Sequence, residues 1–113
     1  MCRSAIALLA ILLAGCVGAP IVDPGFRGAA FLKYVGDTSL GPGDGIYMVD
    51  GHALDRPPQN EVYVRPGHRE IAFNCPGWIT VDGLPSTTYT FKSGGKYGLF
   101  CVAGIPTVQI RSL

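Results

Sequence analysis

Beyond residue 15 the apolar positions recur every second residue, the period of a half-buried strand, and no segment carries a 3.6-residue helical period. Residues 28–35 predict a first strand, with Phe31 and Val35 on one face and Leu32 and Tyr34 on the other. Residues 46–49 predict a short second one. In 61–65, Val62 and Val64 take the core side. In 69–75, Ile71, Phe73 and Cys75 share a face, and Glu70 and Asn74 take the other. Tyr89 and Phe91 point inward from 88–92. Tyr97, Leu99 and Cys101 share a face of 96–102, and Val108 and Ile110 point inward from 108–111. A different pattern holds at 5–14, where ten consecutive Ala, Ile and Leu leave no polar face.

Gly and Pro, 16 and 9 of the 113 residues, punctuate these runs. Residues 36–45 read as a loop. Asp50-Gly51 is a turn dipeptide, and 52–60 is a connection that Pro57-Pro58 keeps extended. Pro66-Gly67 suits the centre of a type II turn, which predicts a hairpin between the 61–65 and 69–75 strands. Ser93-Gly94-Gly95 suits a second hairpin turn. Pro76-Gly77-Trp78 turns the chain, and 78–82 is irregular or a brief strand. Seven or eight short strands, with a turn signal roughly every 8–12 residues, predict an all-β domain over 28–113. Its architecture is a small antiparallel β-sandwich or barrel. Apolar residues at 48% and charged residues at 15% argue against disorder. A formal net charge of +1 leaves no electrostatic footprint for nucleic acid.

The apolar run follows Arg3. As a helix its ten residues would cover about 15 Å, half of a ~30 Å bilayer core, so a secretory signal fits better than a membrane span. Leu13-Ala14-Gly15-Cys16, directly after the run, resembles the lipobox of bacterial lipoproteins. The resemblance implies a diacylglyceryl group on the Cys16 sulfur, cleavage before it at the small Ala14 and Gly15, and often acylation of the new amino group. An ordinary signal peptide with a coincidental cysteine is the alternative. On the lipoprotein reading 1–15 is a signal peptide and 16–27 is a lipidated cysteine with a flexible tether. Two or three acyl chains make a stable membrane anchor where one is marginal. Val17 stands where an aspartate usually retains lipoproteins in the inner membrane. That implies the outer membrane, facing the periplasm or the surface. Cleavage removes Arg3 alone among the charges, so 9 basic side chains become 8, against 8 acidic ones.

Cys2 leaves with the signal. Cys75 and Cys101 remain, each on the apolar side of a strand by parity. In an oxidising compartment a disulfide is the expected state, worth roughly 3.5 kcal/mol in the chain-entropy model. Buried free thiols and a metal site are the alternatives. His52 and His68 are isolated, and no Cys-x-x-Cys or His-x-x-x-His spacing occurs, so no metal or other cofactor is expected.

Four stretches share a further resemblance. They are Tyr47-Met48-Val49-Asp50-Gly51, then 62–71 with its Pro66-Gly67-His68 turn, then Pro76-Gly77-Trp78, then 88–97 with Ser93-Gly94-Gly95. Together, over about 46–101, they resemble a PEGA-like domain. The Pro-Glu-Gly-Ala tetrapeptide itself is absent, and 54–58 stands in its place. The resemblance implies a small β-sandwich of envelope and surface proteins, with no catalysis.

Catalysis needs a nucleophile with a base, or two close carboxylates. His68 is expected to cap a carbonyl or pack on Tyr63. His52 lies beside Asp50 and Asp55, where a base–orienter pair is the sharper alternative. Ser86, Thr87 and Thr88 read as a polar turn. Asp37 and Asp44 sit in a glycine-rich loop but miss the calcium-loop spacing. No enzyme is expected. Tyr47, Tyr63 and Trp78 are candidates for contact with a partner, an envelope protein or a glycan. Alternatively, Trp78 plugs the end of the sandwich beside the disulfide, and Tyr47 and Tyr63 form a cross-strand pair. The expected function is a lipid-anchored, non-enzymatic binding or structural module of the cell envelope. The rival is an inhibitor or immunity lipoprotein that blocks an envelope-targeting enzyme through 36–45 or 52–60.

Overall fold

The computed structural model describes residues 18–35, 43–75, 83–102 and 107–113. Eight strands follow in order: β1 Ala30–Val35, β2 Gly45–Val49, β3 His52–Ala53, β4 Glu61–Val64, β5 Gly67–Asn74, β6 Ser86–Phe91, β7 Lys96–Val102 and β8 Thr107–Ser112. They form two four-stranded sheets, β4-β1-β7-β8 and β3-β2-β5-β6. The fold is an all-β sandwich of eight short strands. Every pairing is antiparallel except β1 with β7, which runs parallel. No helix among the described residues is long and apolar enough to cross a membrane.

Alternation along the strands builds the core. Ala30, Leu32 and Tyr34 of β1, Val62 and Val64 of β4, and Tyr97 and Leu99 of β7 are buried from one sheet. Ile46 and Val49 of β2, Ile71 and Phe73 of β5, and Phe91 of β6 meet them from the other. Tyr89, Phe91 and Tyr97 form a cluster of tilted and edge-on rings with centroids 5.1–5.4 Å apart. In β2 the alternation breaks. Ile46 pairs with Phe73 and Met48 with Ala72, so Tyr47 is the extra residue of a β-bulge. The bulge shifts parity by one, which is why Ile46 and Val49, three apart, are both buried.

The two sheets are joined covalently. Cys75, just past β5, is bonded to Cys101 of β7 with Cα atoms 5.9 Å apart. The Tyr34 hydroxyl lies 3.4 Å from Cys101 Sγ. A disulfide sulfur carries no proton, so the hydroxyl is the donor.

Three expectations about connections are corrected. The Pro66-Gly67 turn does not close a hairpin, because β4 belongs to one sheet and β5 to the other. The Ser93-Gly94-Gly95 turn likewise carries the chain from β6 across to β7 in the opposite sheet. Both are arches over the core. The physical reason at the first arch is Arg69. Its Nε and Nη2 donate to the carbonyls of Arg65 and Pro66, both at 2.8 Å, and so occupy the Arg65 acceptor that would close a Pro66-Gly67 hairpin turn. At the second, the Lys92 N–H donates to the Tyr97 hydroxyl at 2.9 Å, and the Tyr97 ring lies against Gly95. A Cβ on Gly95 would sit 2.5 Å from that hydroxyl oxygen, so only glycine fits. The tight hairpin is instead at Asp50-Gly51. Both residues have positive φ, 50° and 79°, and β2 and β3 pair directly across them, as a type I′ turn requires.

The connection at 52–60 is not kept extended by its prolines. The Pro57–Pro58 bond is cis, Arg56 has φ 50°, and the chain turns back so that Gln59 pairs with Ile46. Part of the expected tether also lies on the body. Arg65 N–H donates to Pro20 O at 2.8 Å, and Val22 N–H donates to Tyr63 O at 3.0 Å. This strap covers the outer edge of β4, satisfying backbone groups that an open edge would expose.

Candidate functional site

Leu13, Ala14, Gly15 and Cys16 of the lipobox lie outside the described residues, as do Trp78 and Asp37. The described body positions the remaining candidates.

Tyr47 and Tyr63 are not a cross-strand pair, because β2 and β4 lie in different sheets. Tyr47 sits at the bulge, and its hydroxyl donates to Gly43 O at 2.7 Å. Tyr63 stands on the outer face of its sheet. Its ring is 5.1 Å from that of Phe31, its direct partner in register. Beside Tyr63 a shallow open groove of about 230 Å³ runs between the strap and the 54–60 connection. Ile21, Val22 and Leu54 line its apolar side, and Asp55, Gln59 and Glu61 its polar side.

The histidines are placed differently from the expectation. His68 Nδ1 lies 3.1 Å from the Thr90 hydroxyl, its register partner on β6. His52 Nδ1 lies 3.1 Å from the carbonyl of Asp50, not its carboxylate. The Asp50 carboxylate is engaged elsewhere, and Asp55 sits beside Arg56 on the surface. Ser86 begins β6 instead of forming a turn with Thr87 and Thr88, and its hydroxyl donates to Glu70 Oε2 at 3.0 Å. Asn74 Nδ2 approaches Asp44 Oδ1 at 3.4 Å. No group of three His, Cys, Asp or Glu side chains placed to hold a metal occurs among the described residues.

The best-built polar arrangement joins Asp50 to Arg69. Arg69 Nη1 donates to Asp50 Oδ2 at 3.0 Å, and the Glu70 N–H donates to Asp50 Oδ1 at 2.8 Å. The Asp50 N–H in turn donates to Glu70 O at 2.8 Å. One guanidinium therefore fixes the first arch and the β2–β3 turn together. The sequence carries a signal for this: Arg69 has the same parity as Ile71 and Phe73, and an inward-parity arginine needs a carboxylate or carbonyls to meet.

Tyr34 is the titrating group that the fold perturbs. Burial, and secondarily the charge of Asp44, push its hydroxyl from 10.0 up to about 12. The folded state thus favours the neutral phenol. Its contribution to stability is complete below pH 10 and is lost as pH rises from 10 toward 12. Over that window the chain is expected to lose about 2 kcal/mol, and Tyr34→Phe to lose visibly less. Denaturant midpoints of the two proteins at matched alkaline pH check this; identical slopes would refute it.

No family model, no curated protein and no solved structure matches this chain.

Proposed function

We propose that this chain is a lipid-anchored protein of the cell envelope whose β-sandwich acts as a non-enzymatic binding or structural module. The carrying observation is Leu13-Ala14-Gly15-Cys16 placed directly after the ten-residue apolar run. A thiol at that junction is the nucleophile for lipid transfer, and two small residues before it suit a narrow protease cleft. The disulfide between Cys75 and Cys101 supports the reading, because such bonds persist in exported, oxidising compartments. The groove beside Tyr63 supplies a surface for an envelope protein or a glycan. The resemblance of 46–101 to PEGA-like domains points the same way. No catalytic step is assigned: His52 and His68 touch a carbonyl and a hydroxyl, not a carboxylate.

Cys16→Ser tests the anchor. The variant is expected to leave the detergent phase almost completely in phase partitioning, since two or three acyl chains contribute ~0.8 kcal/mol per buried CH₂. Unchanged partitioning would reject the lipobox.

A further inference from the structure

Charge on the described surface is segregated by end. β4 and β6 finish, and β1 and β7 start, at the same end of the sandwich, so the turns at 23–29, 65–66 and 92–95 lie together there. They are knitted to one another. The Gly94 N–H donates to Gly28 O at 3.1 Å, and the Arg65 guanidinium lies 4.7 Å from the centre of the Phe26 ring. Arg27, Arg65, Lys92 and Lys96 all sit at this end, together with Asp23 and the Arg69–Asp50 ion pair beside the 65–66 turn. None of the four cations is within ion-pair distance of a carboxylate among the described residues, where the pairs are Arg56–Asp55 and Arg69–Asp50. The opposite end carries Asp44, Asp55, Glu61 and Arg56.

The chain enters at the basic end. Arg65 Nε donates to Ala19 O at 3.0 Å. A Cβ added to Gly18 would fall 2.6 Å from Arg65 Nη2, so the guanidinium covers the entering segment. Cys16 is two residues upstream of Gly18, which places their Cα atoms at most about 8 Å apart. That distance is about one Debye length at physiological ionic strength. An acylated Cys16 would therefore hold Arg65, which lies against Gly18, where the potential of a charged bilayer is still felt, with the other three cations on the same end of the sandwich.

We infer that this end of the domain rests on an anionic phospholipid surface, its cations facing headgroup phosphates. This rests on the reading that Cys16 is acylated, and it adds an orientation: the anchor presents the sandwich basic end down. Each basic side chain near such a surface favours the docked state by about fivefold.

The test uses the acylated protein reconstituted into vesicles of phosphatidylcholine, with or without phosphatidylglycerol. After Cys16 the chain has lysines only at 33, 92 and 96, so an uncharged amine reagent reports on both places at once. Lys33, exposed within β1, is the internal reference. Labelling of Lys92 and Lys96 relative to Lys33 is expected to fall at least about fivefold on the anionic vesicles and to recover in high salt. Arg27→Gln, in an exposed turn, is expected to shrink that protection by about the same factor. Equal ratios on both vesicles, with the acyl mass present on Cys16, would overturn the docking and leave the anchor standing. Absence of the acyl mass would overturn both.

Discussion

Replacing Cys75 and Cys101 together by alanine is expected to cost about 3.5 kcal/mol of stability and about 15–25 °C in melting temperature. The bond closes a loop with a sequence separation of 26, and the cross-linked unfolded chain loses the corresponding conformational freedom. The link also joins opposite sheets, so the unfolded chain would otherwise have to find the sheet-on-sheet contact unaided. Cys75 is buried among core side chains, and the lost sulfur adds a packing penalty of the same sign. A small sandwich has little core to spare for such a loss. Thermal unfolding of the native and double-alanine proteins checks this. A melting temperature within a few degrees of native would show that the sandwich does not depend on its cross-link.

The second large effect is expected at the arch. Arg69→Ala removes the donors to the Arg65 and Pro66 carbonyls and leaves the Asp50 carboxylate without its cation. The Arg69 side chain is 13% exposed and that of Asp50 31%, so solvent compensates only in part. About 2–4 kcal/mol is the expected cost. Asp50→Ala is expected to cost about as much, for two reasons. It deprives the Glu70 N–H of its acceptor, and it places a residue without a short polar side chain at φ 50°. Asp50→Asn keeps the acceptor and tolerates that φ, so it should recover about half of the loss. The coupling between positions 50 and 69 in a double-mutant cycle should reach about 1–3 kcal/mol. Additive effects would show that Arg69 acts on the carbonyls alone.

Much of the fold was legible because strand parity is a local property. The inward positions of β4, β5, β7 and β8 follow from period-two alternation, and so does the placement of both cysteines on the core side. What parity does not encode is which sheet a strand joins. Val62 and Val64 face inward whether Pro66-Gly67 closes a hairpin or an arch, since each solution buries the same side chains. The difference lies in Arg69, whose guanidinium takes the turn carbonyls, and in the long-range pairing of β1 with β7. The misplacement of Tyr47 has the same cause. Its pairing with Tyr63 fails because β2 and β4 join different sheets, which parity along a single strand does not report. Neither a carbonyl cap nor packing on Tyr63 names the partner of His68, because its neighbour Thr90 comes from the β5–β6 register. The strap at 19–22 is not legible in the sequence, because Gly and Pro composition reports the absence of helix, not whether an extended segment docks on an edge.

For the candidate site the division is similar. The lipobox is a linear motif, readable without any fold. The groove beside Tyr63 and the basic end are assembled from residues distant in sequence, and only the topology brings them together.

Acylation of Cys16 is tested most directly by the intact mass of the protein isolated from its native membrane. The predicted species starts at Cys16, carries the added mass of a diacylglyceryl group and in most molecules a further acyl chain, and lacks the two hydrogens of a Cys75–Cys101 disulfide. A species that begins at Met1 with four free thiols and no fatty acid would contradict it.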